Sequence, residues 1–210
     1  MQATSARALK DRRRLARRRL SGSERLAFLR GFFKHPVMVG SVIPSSRRLI
    51  DRMLGPVNWD ETRLFVEYGP GVGTFTRVIL DRLPEDARLV TIDTNAEFTA
   101  FLKESIDDPR LIAVTASAAD VEKVLADRGL GEADYILSGL PFSTLPPGVG
   151  DAIGAATARA IRPGGAFLVY QFSPKVRDFI APVFDRLDRG FEWINVPPAT
   201  LFWAWRNEAD

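Results

Sequence analysis

An apolar run that ends in a carboxylate and turns through three glycines constrains this chain more than any other stretch: Leu64-Phe65-Val66-Glu67-Tyr68-Gly69-Pro70-Gly71-Val72-Gly73. Its first residues favour a strand. Thr74, with Phe75, Val78, Ile79 and Leu83 behind it, has the period of a helix with one apolar face. Strand, glycine turn and helix in that order form the first unit of a doubly wound α/β sheet, which takes its ligands at the carboxyl edge of the strands. Glycines there let the backbone approach a ligand that a β-carbon would strike.

The spacing separates two ligands. A dinucleotide turn is G-x-G-x-x-G, with a helix amino end aimed at a pyrophosphate. Here Gly69, Gly71 and Gly73 give G-x-G-x-G, and Glu67 stands two residues before the first of them. A carboxylate at that point repels a pyrophosphate and suits a cationic amine. The pattern resembles motif I of class I S-adenosylmethionine methyltransferases, whose ligand carries an ammonium and a sulfonium. Strand Arg88-Leu89-Val90-Thr91-Ile92 ends at Asp93, twenty residues past Gly73. A carboxylate at the tip of a second strand can hold both ribose hydroxyls. The resemblance implies S-adenosylmethionine as cofactor and S-adenosylhomocysteine as product. The expected cofactor residues around motif I are Glu67, Tyr68, Gly69, Gly71, Gly73 and Thr74. Asp93 and Thr94 follow on the second strand, Ser117 and Ala118 after the third, and Ser138 at the end of the fourth.

Composition narrows the chemistry. The chain has 210 residues, 46% of them hydrophobic, enough for one substantial core with an appendage. Without cysteine there are no disulfides or thiolate metal sites. A single histidine, His35, argues against a histidine metal site or a Ser-His-Asp triad, so no metal is expected. No run approaches the roughly 18 to 20 apolar residues of a membrane span. The amino terminus lacks the apolar core of a signal peptide, which predicts a cytoplasmic protein.

Charge is distributed unevenly. Residues 1–50 carry thirteen Lys or Arg against Asp11 and Glu24, so the rest holds −8 of an overall +3. Residues 4–20 read as a helix with Leu9, Ala16 and Leu20 on one line and arginines over most of the remainder. Ser21 and Glu24 offer a capping box for a second helix that carries Leu26, Leu29 and Phe33 on one face. A basic helix followed by an aromatic-rich amphipathic one suits an anionic membrane interface, each cation there contributing about 1 kcal/mol. A nucleic-acid arm or a solvated arm packed on the domain are the alternatives. The expected division is a membrane-binding arm over residues 1–35 and a methyltransferase domain over residues 36–210. The protein is then expected on the inner face of the cytoplasmic membrane.

After the arm, Pro36 to Ser46 is a proline- and glycine-bounded loop before a helix from Arg47 to Leu54. Ser41, Ser45 and Ser46 offer hydroxyls and helix-end amides for a substrate anion. Strands and helices then alternate. The expected elements are strand Arg110–Thr115, helix Val121–Asp127, strand Ala133–Leu137 and helix Gly148–Ile161. A turn at Arg162-Pro163-Gly164-Gly165 leads into strand Ala166–Phe172, followed by helix Val176–Leu187. Strands Phe191–Val196 and Thr200–Trp205 form a closing hairpin around Pro197-Pro198. The fold class is α/β, a Rossmann-like, mostly parallel sheet of seven strands.

Ser138-Gly139-Leu140-Pro141-Phe142 follows the fourth strand, where amino methyltransferases often place (Asn/Asp)-Pro-Pro-(Phe/Tyr) or Asn-Leu-Pro-Tyr. Proline fixes the backbone so that nearby carbonyls face the attacking nitrogen, and an aromatic face stabilises a cation. Leu140, Pro141 and Phe142 are the expected catalytic residues, with Tyr170 or His35 as a proton acceptor. Tyr68, Phe142, Tyr170, Phe172 and Trp193 are candidates for an aromatic cage around a methylated ammonium. Ser138 in place of Asn or Asp disfavours an exocyclic base amine as substrate.

Four segments together resemble bacterial phospholipid N-methyltransferases: FKHPVMVGSVIPSS from Phe33, VEYGPGVGTFT from Val66, LSGLPFSTLP from Leu137 and NVPPA from Asn195. The resemblance implies methylation of phosphatidylethanolamine, through its monomethyl and dimethyl forms, to phosphatidylcholine. One departure is Ser117, which stands where many relatives place an Asp facing the adenine amino group. The competing readings are an RNA adenine N6-methyltransferase that grips phosphates with the arm, and a non-catalytic protein of the same fold.

Overall fold

In the computed structural model, residues 46–171, 174–195 and 198–207 are described. A short helix α1 (Arg47–Leu54) leads through a single 3-10 turn into strand β1 (Leu64–Tyr68), buried along its whole length. There follow α2 (Thr74–Arg82), β2 (Arg88–Asp93), α3 (Ala96–Ser105) and β3 (Leu111–Thr115). The second half comprises α4 (Val121–Ala126), β4 (Ala133–Ser138), α5 (Val149–Ala160), β5 (Ile161–Gln171), α6 (Arg177–Ile180), β6 (Arg186–Glu192) and β7 (Ala199–Trp205). The seven strands form one sheet in the order β3-β2-β1-β4-β5-β7-β6. Strands β1 to β5 are parallel, and β7 runs antiparallel to both β5 and β6. The order reverses between β1 and β4, which makes the ends of those two strands the switch point where such sheets bind ligands.

The central strands bury both faces, as a parallel sheet covered by helices must. On β1, Val66 and Tyr68 join the core formed with α4, α5 and α6, whereas Phe65 joins the one formed with α1 and α2. This period of two explains why the strand reads as a continuous apolar run and not as an alternating one.

Two expectations about the second half fail for identifiable reasons. Arg162-Pro163-Gly164-Gly165 is not a turn between helix and strand. It lies inside β5 as an irregularity, with Ala133 opposite Ile161 and Tyr135 opposite Ala166. The insertion is accommodated by Gly164 at φ 76° and by the pairing of Gly164 and Gly165 with Arg206. The helix expected over Val176–Leu187 shrinks to the 3-10 turn Pro174–Val176 and the single turn Arg177–Ile180. Pro182 contributes to this, since proline has no N–H to donate to a carbonyl one turn earlier and so cannot continue the helix. The chain then enters β6 at Arg186, earlier than the expected Phe191. Its alternation of Arg, Leu, Asp and Arg is the charged pattern of an edge strand.

Candidate active site

From β1 the chain passes into Gly69, whose N–H donates to the Ile92 carbonyl at 2.9 Å. Gly69, Gly71 and Gly73 have φ of 63°, 53° and 81°, a left-handed path that side chains with a β-carbon disfavour. Space as well as angle excludes larger residues. A β-carbon on Gly73 would lie 2.6 Å from Leu102 Cδ2, and one on Gly69 would lie 3.0 Å from Leu140 Cδ2. The Gly73 N–H closes the turn on Pro70 O at 2.9 Å. Arg77, one turn into α2, staples the loop from outside. Its Nη1 donates to the carbonyls of Val72 (2.9 Å) and Gly73 (3.1 Å), and its Nη2 donates to Ser105 Oγ on α3 (3.1 Å).

The two carboxylates take different roles. Glu67 is buried beneath the loop, where Thr76 Oγ1 donates to its Oε2 at 2.6 Å. Burial pushes its pKa up to about 7; the Thr76 hydrogen bond and the Arg77 charge oppose this, and Asp93 adds to it. Glu67 therefore ties α2 to β1 through Thr76 and sits half-charged near neutrality. Asp93 at the tip of β2 is only partly buried. It accepts from the backbone N–H groups of Asn95 (2.8 Å) and Gly71, and burial raises its pKa. A carboxylate offers about four acceptor positions, so lone pairs remain on Asp93 for ribose hydroxyls.

Beside these, Ser117 Oγ accepts from Ala119 N (3.2 Å) and caps a short turn that contains the buried Ala118. Thr74 opens α2, and Thr94 is solvent-exposed next to Asp93. The expected glycine, ribose and adenine positions thus gather at one edge of the sheet.

Ser138 ends β4 opposite Tyr68, with its Oγ accepting from Leu140 N at 3.2 Å. Gly139 N–H reaches back to Tyr68 O at 3.2 Å. The carbonyls of the proline turn already have donors within the protein. Leu140 O accepts from Gln171 Nε2 (2.5 Å) and Phe142 N (3.0 Å), and Pro141 O accepts from Thr144 N (2.9 Å) and Thr144 Oγ1 (3.0 Å). Each of the two carbonyls thus accepts two donors, and Gln171 on β5 supplies one of those on Leu140. Tyr170 does reach the corner. Its ring stacks on Phe75 at 5.0 Å, and its hydroxyl approaches Gly139 so closely that a β-carbon there would clash with it.

Among the described residues, Tyr68, Phe142 and Trp193 do not join Tyr170 in a cage. The Tyr68 ring points away from the cofactor edge into the core below α5. Its hydroxyl pairs there with Thr157 Oγ1 at 3.2 Å, and burial raises its pKa. Only its backbone carbonyl serves the corner. Phe142 is 2% exposed and stacked on Phe179 at 5.9 Å, so its face is covered by protein. Trp193 lies beyond the end of β6. Ser46 caps α1 through its hydroxyl on Leu49 N, while its own N–H donates to Asn195 Oδ1 at 3.1 Å. The arm, His35, Ser41, Ser45 and Phe172 lie outside the described residues. Thr76, Arg77, Gln171 and Asn195 were not anticipated. Of these, Thr76 and Asn195 carried a sequence signal, as parts of the VEYGPGVGTFT and NVPPA segments.

A glycine loop, a carboxylate at the tip of the second strand and a proline corner, set on a switch-point sheet, define a class I S-adenosylmethionine-dependent methyltransferase. No protein-family profile matches the chain. It is 30% identical over 179 residues to the ornithine lipid N-methyltransferase of Singulisphaera acidiphila, spanning 84% of this chain and 93% of that protein. The chain belongs to the family of that lipid N-methyltransferase, and S-adenosylmethionine is its cofactor. A stretch of 77 residues is 38% identical to ribosomal RNA small subunit methyltransferase H of Leptothrix cholodnii, covering 35% of this chain and 24% of that one. Among solved structures, an O-methyltransferase from Bacillus cereus in complex with SAH superposes with a TM-score of 0.62 at 13% identity. That match spans 86% of this chain and 91% of the other and reflects the shared fold.

Proposed function

We propose that this methyltransferase N-methylates the primary amine of a membrane-lipid headgroup at the bilayer surface. One observation carries the reading: the ornithine lipid N-methyltransferase matches over 93% of its length. Phosphatidylethanolamine, implied by the phospholipid N-methyltransferase resemblance, and ornithine lipid both present an aliphatic amine that must lose a proton before its lone pair can attack. The cofactor supplies a methyl group activated on a sulfonium, which moves as a C–S bond breaks and an N–C bond forms. The chain's own contribution is positional. Asp93 and the glycine loop hold the cofactor edge, while Leu140, packed on Gly69, narrows the crevice. Tyr170, fixed by Phe75, places a hydroxyl beside Gly139 that can relay the departing proton. The basic amino-terminal segment supports a peripheral association with anionic lipid. Among the described residues no helix is long and apolar enough to cross a membrane.

The test is incubation with radiolabelled S-adenosylmethionine and, in parallel, phosphatidylethanolamine vesicles, ornithine-lipid vesicles and unmodified ribosomal RNA. Label in a lipid fraction supports the reading, and the product ladder counts the transfers. Label in RNA alone, or in none of the three, overturns it.

A further inference from the structure

Beyond β6 the chain puts its most exposed apolar residues side by side. Trp193 is 75% exposed and Ile194 62%, and among the described residues only Val183 joins them as an exposed large hydrophobic. Solvated apolar side chains are ordinary when scattered, but an adjacent Trp and Ile at a hairpin end is a patch that calls for a partner. The hairpin end is firmly held. Glu192, buried to 2%, accepts from Ile194 N at 3.1 Å and lies 3.5 Å from Arg48 Nε and 3.7 Å from Arg52 Nη1. Arg52 Nη1 also donates to Phe191 O at 2.7 Å, and Asn195 is fastened to Ser46. The Trp193 ring leans on Phe191 at 4.2 Å. The two apolar residues therefore project from a braced platform.

The surroundings are cationic and concave. An open cavity of about 560 Å3 is lined by Arg52, Arg189, Gly190, Phe191 and Trp193. Arg47, Arg48, Arg52 and Arg189 are all exposed, and the buried Glu192 lies within ion-pair distance of Arg48 and Arg52. Guanidinium groups match phosphate oxygens, and tryptophan favours the headgroup level of a bilayer. The hairpin end also sits at the edge where chemistry occurs. Glu192 pairs with Ala199 and Gln171 with Thr200, which brings it level with the carboxyl ends of β4 and β5.

We propose that the β6–β7 hairpin end is a membrane-docking surface, in which Trp193 and Ile194 enter the interface of an anionic bilayer while Arg52 and Arg189 face its phosphates. This contact turns the cofactor edge of the sheet toward the lipid. The choice of a bilayer as partner rests on the lipid-methylation reading.

Fluorescence tests it on the full chain. Of four tryptophans, Trp193 alone is exposed; Trp59 and Trp205 are half-buried and Trp203 is buried. Adding vesicles of phosphatidylglycerol and phosphatidylcholine should shift the emission to shorter wavelength, and brominated acyl chains should quench it. Trp193→Phe should abolish the quenching. Ile194→Ser combined with Arg189→Ala should weaken vesicle affinity by about tenfold and leave S-adenosylmethionine affinity unchanged. Co-sedimentation with unquenched emission, quenching that survives in Trp193→Phe, or an emission shift with RNA but not with vesicles each overturns the inference. Methyl transfer to detergent-dispersed lipid separates the two ideas. Transfer without Trp193 quenching sinks the docking surface alone, whereas quenching without transfer sinks the lipid substrate alone.

Discussion

The hydroxyl of Tyr170 lies so close to Gly139 that a β-carbon there would clash with it. Phe75 stacks on the tyrosine ring, so the hydroxyl cannot withdraw without unstacking it. Gly139→Ala should force either Tyr170 or the proline corner to move, an overpacking cost of about 1–3 kcal/mol. The expected result is a methyl-transfer rate lowered about tenfold or more with S-adenosylmethionine affinity nearly intact, because the glycine loop is untouched. Tyr170→Phe keeps the stacking and removes only the hydroxyl. A rate loss in that variant, steepest at low pH, would assign the proton relay to Tyr170, and an unchanged rate would remove it. Transfer kinetics beside isothermal titration separates the two effects.

Glu67 titrates where few carboxyl groups do. Its pKa stands at about 7 against an ordinary 4.5, so between those values the folded state holds a proton that the unfolded state has lost. Stability from this group is fully present below about 4.5 and disappears as the pH rises through about 7. The magnitude is on the order of 3 kcal/mol. Glu67→Gln has no such titration. Its unfolding free energy should gain on the wild type by roughly that amount between pH 5 and pH 8, as read from denaturant midpoints at both values. A parallel pair of curves would show that Glu67 is already ionised in the fold.

The same group links cofactor affinity to protons. A cationic ligand at the glycine loop favours ionised Glu67, so binding near pH 7 should release a fraction of a proton and tighten as the pH rises through about 7. Calorimetry in buffers of different ionisation enthalpy measures the release directly. Glu67→Gln should show none.

Asp93 is expected to act on affinity and not on folding. Asp93→Asn keeps an oxygen for one of the two loop N–H groups and loses the charge that hydroxyl donors favour. A hydrogen bond to a charged group contributes about 1.5–3 kcal/mol, which predicts affinity for S-adenosylmethionine weaker by about 10- to 100-fold. Thermal stability should change little, since burial already disfavours the ionised form. Unaltered affinity would place the ribose elsewhere.

Much of the fold was legible because its signals are local. The run from Leu64 to Gly73 declares strand, turn and helix in sequence, and the third and fourth strands and helices α4 and α5 begin and end within one residue of expectation. The fold was misread where a local pattern meets a distant constraint. Pro163 and Gly164 are turn formers, yet the pairing of Gly164 and Gly165 with Arg206 holds this stretch within β5. Strand β6 is too polar to announce itself, because an edge strand gains its place from one neighbour, β7. In the site, residue types pointed to the right positions but not to directions. Tyr68 and Glu67 are adjacent in sequence yet face opposite sides of the sheet, toward Thr157 and Thr76. The saturation of the Leu140 carbonyl by Gln171 needs a partner 31 residues away, which no motif spacing encodes.

Two segments that sequence resemblance treats as separate marks meet at one joint. Ser46, last residue of the Pro-Ser-Ser loop, donates its N–H to Asn195, first residue of Asn-Val-Pro-Pro-Ala, at 3.1 Å. Asn195 is buried, so Asn195→Ala leaves a helix-cap N–H without its acceptor, at a cost of about 1–3 kcal/mol. The expected signs are a lowered unfolding midpoint and faster amide exchange at Ser46 and along the first turn of α1. S-adenosylmethionine affinity should hold, because Asp93 and the glycine loop lie on β1 and β2, across β4, β5 and β7 from this joint. Asn195→Asp restores an acceptor of the same shape and should recover most of the exchange protection. If both variants lose affinity for the cofactor as well, the joint reaches further into the crevice than its position in the sheet implies.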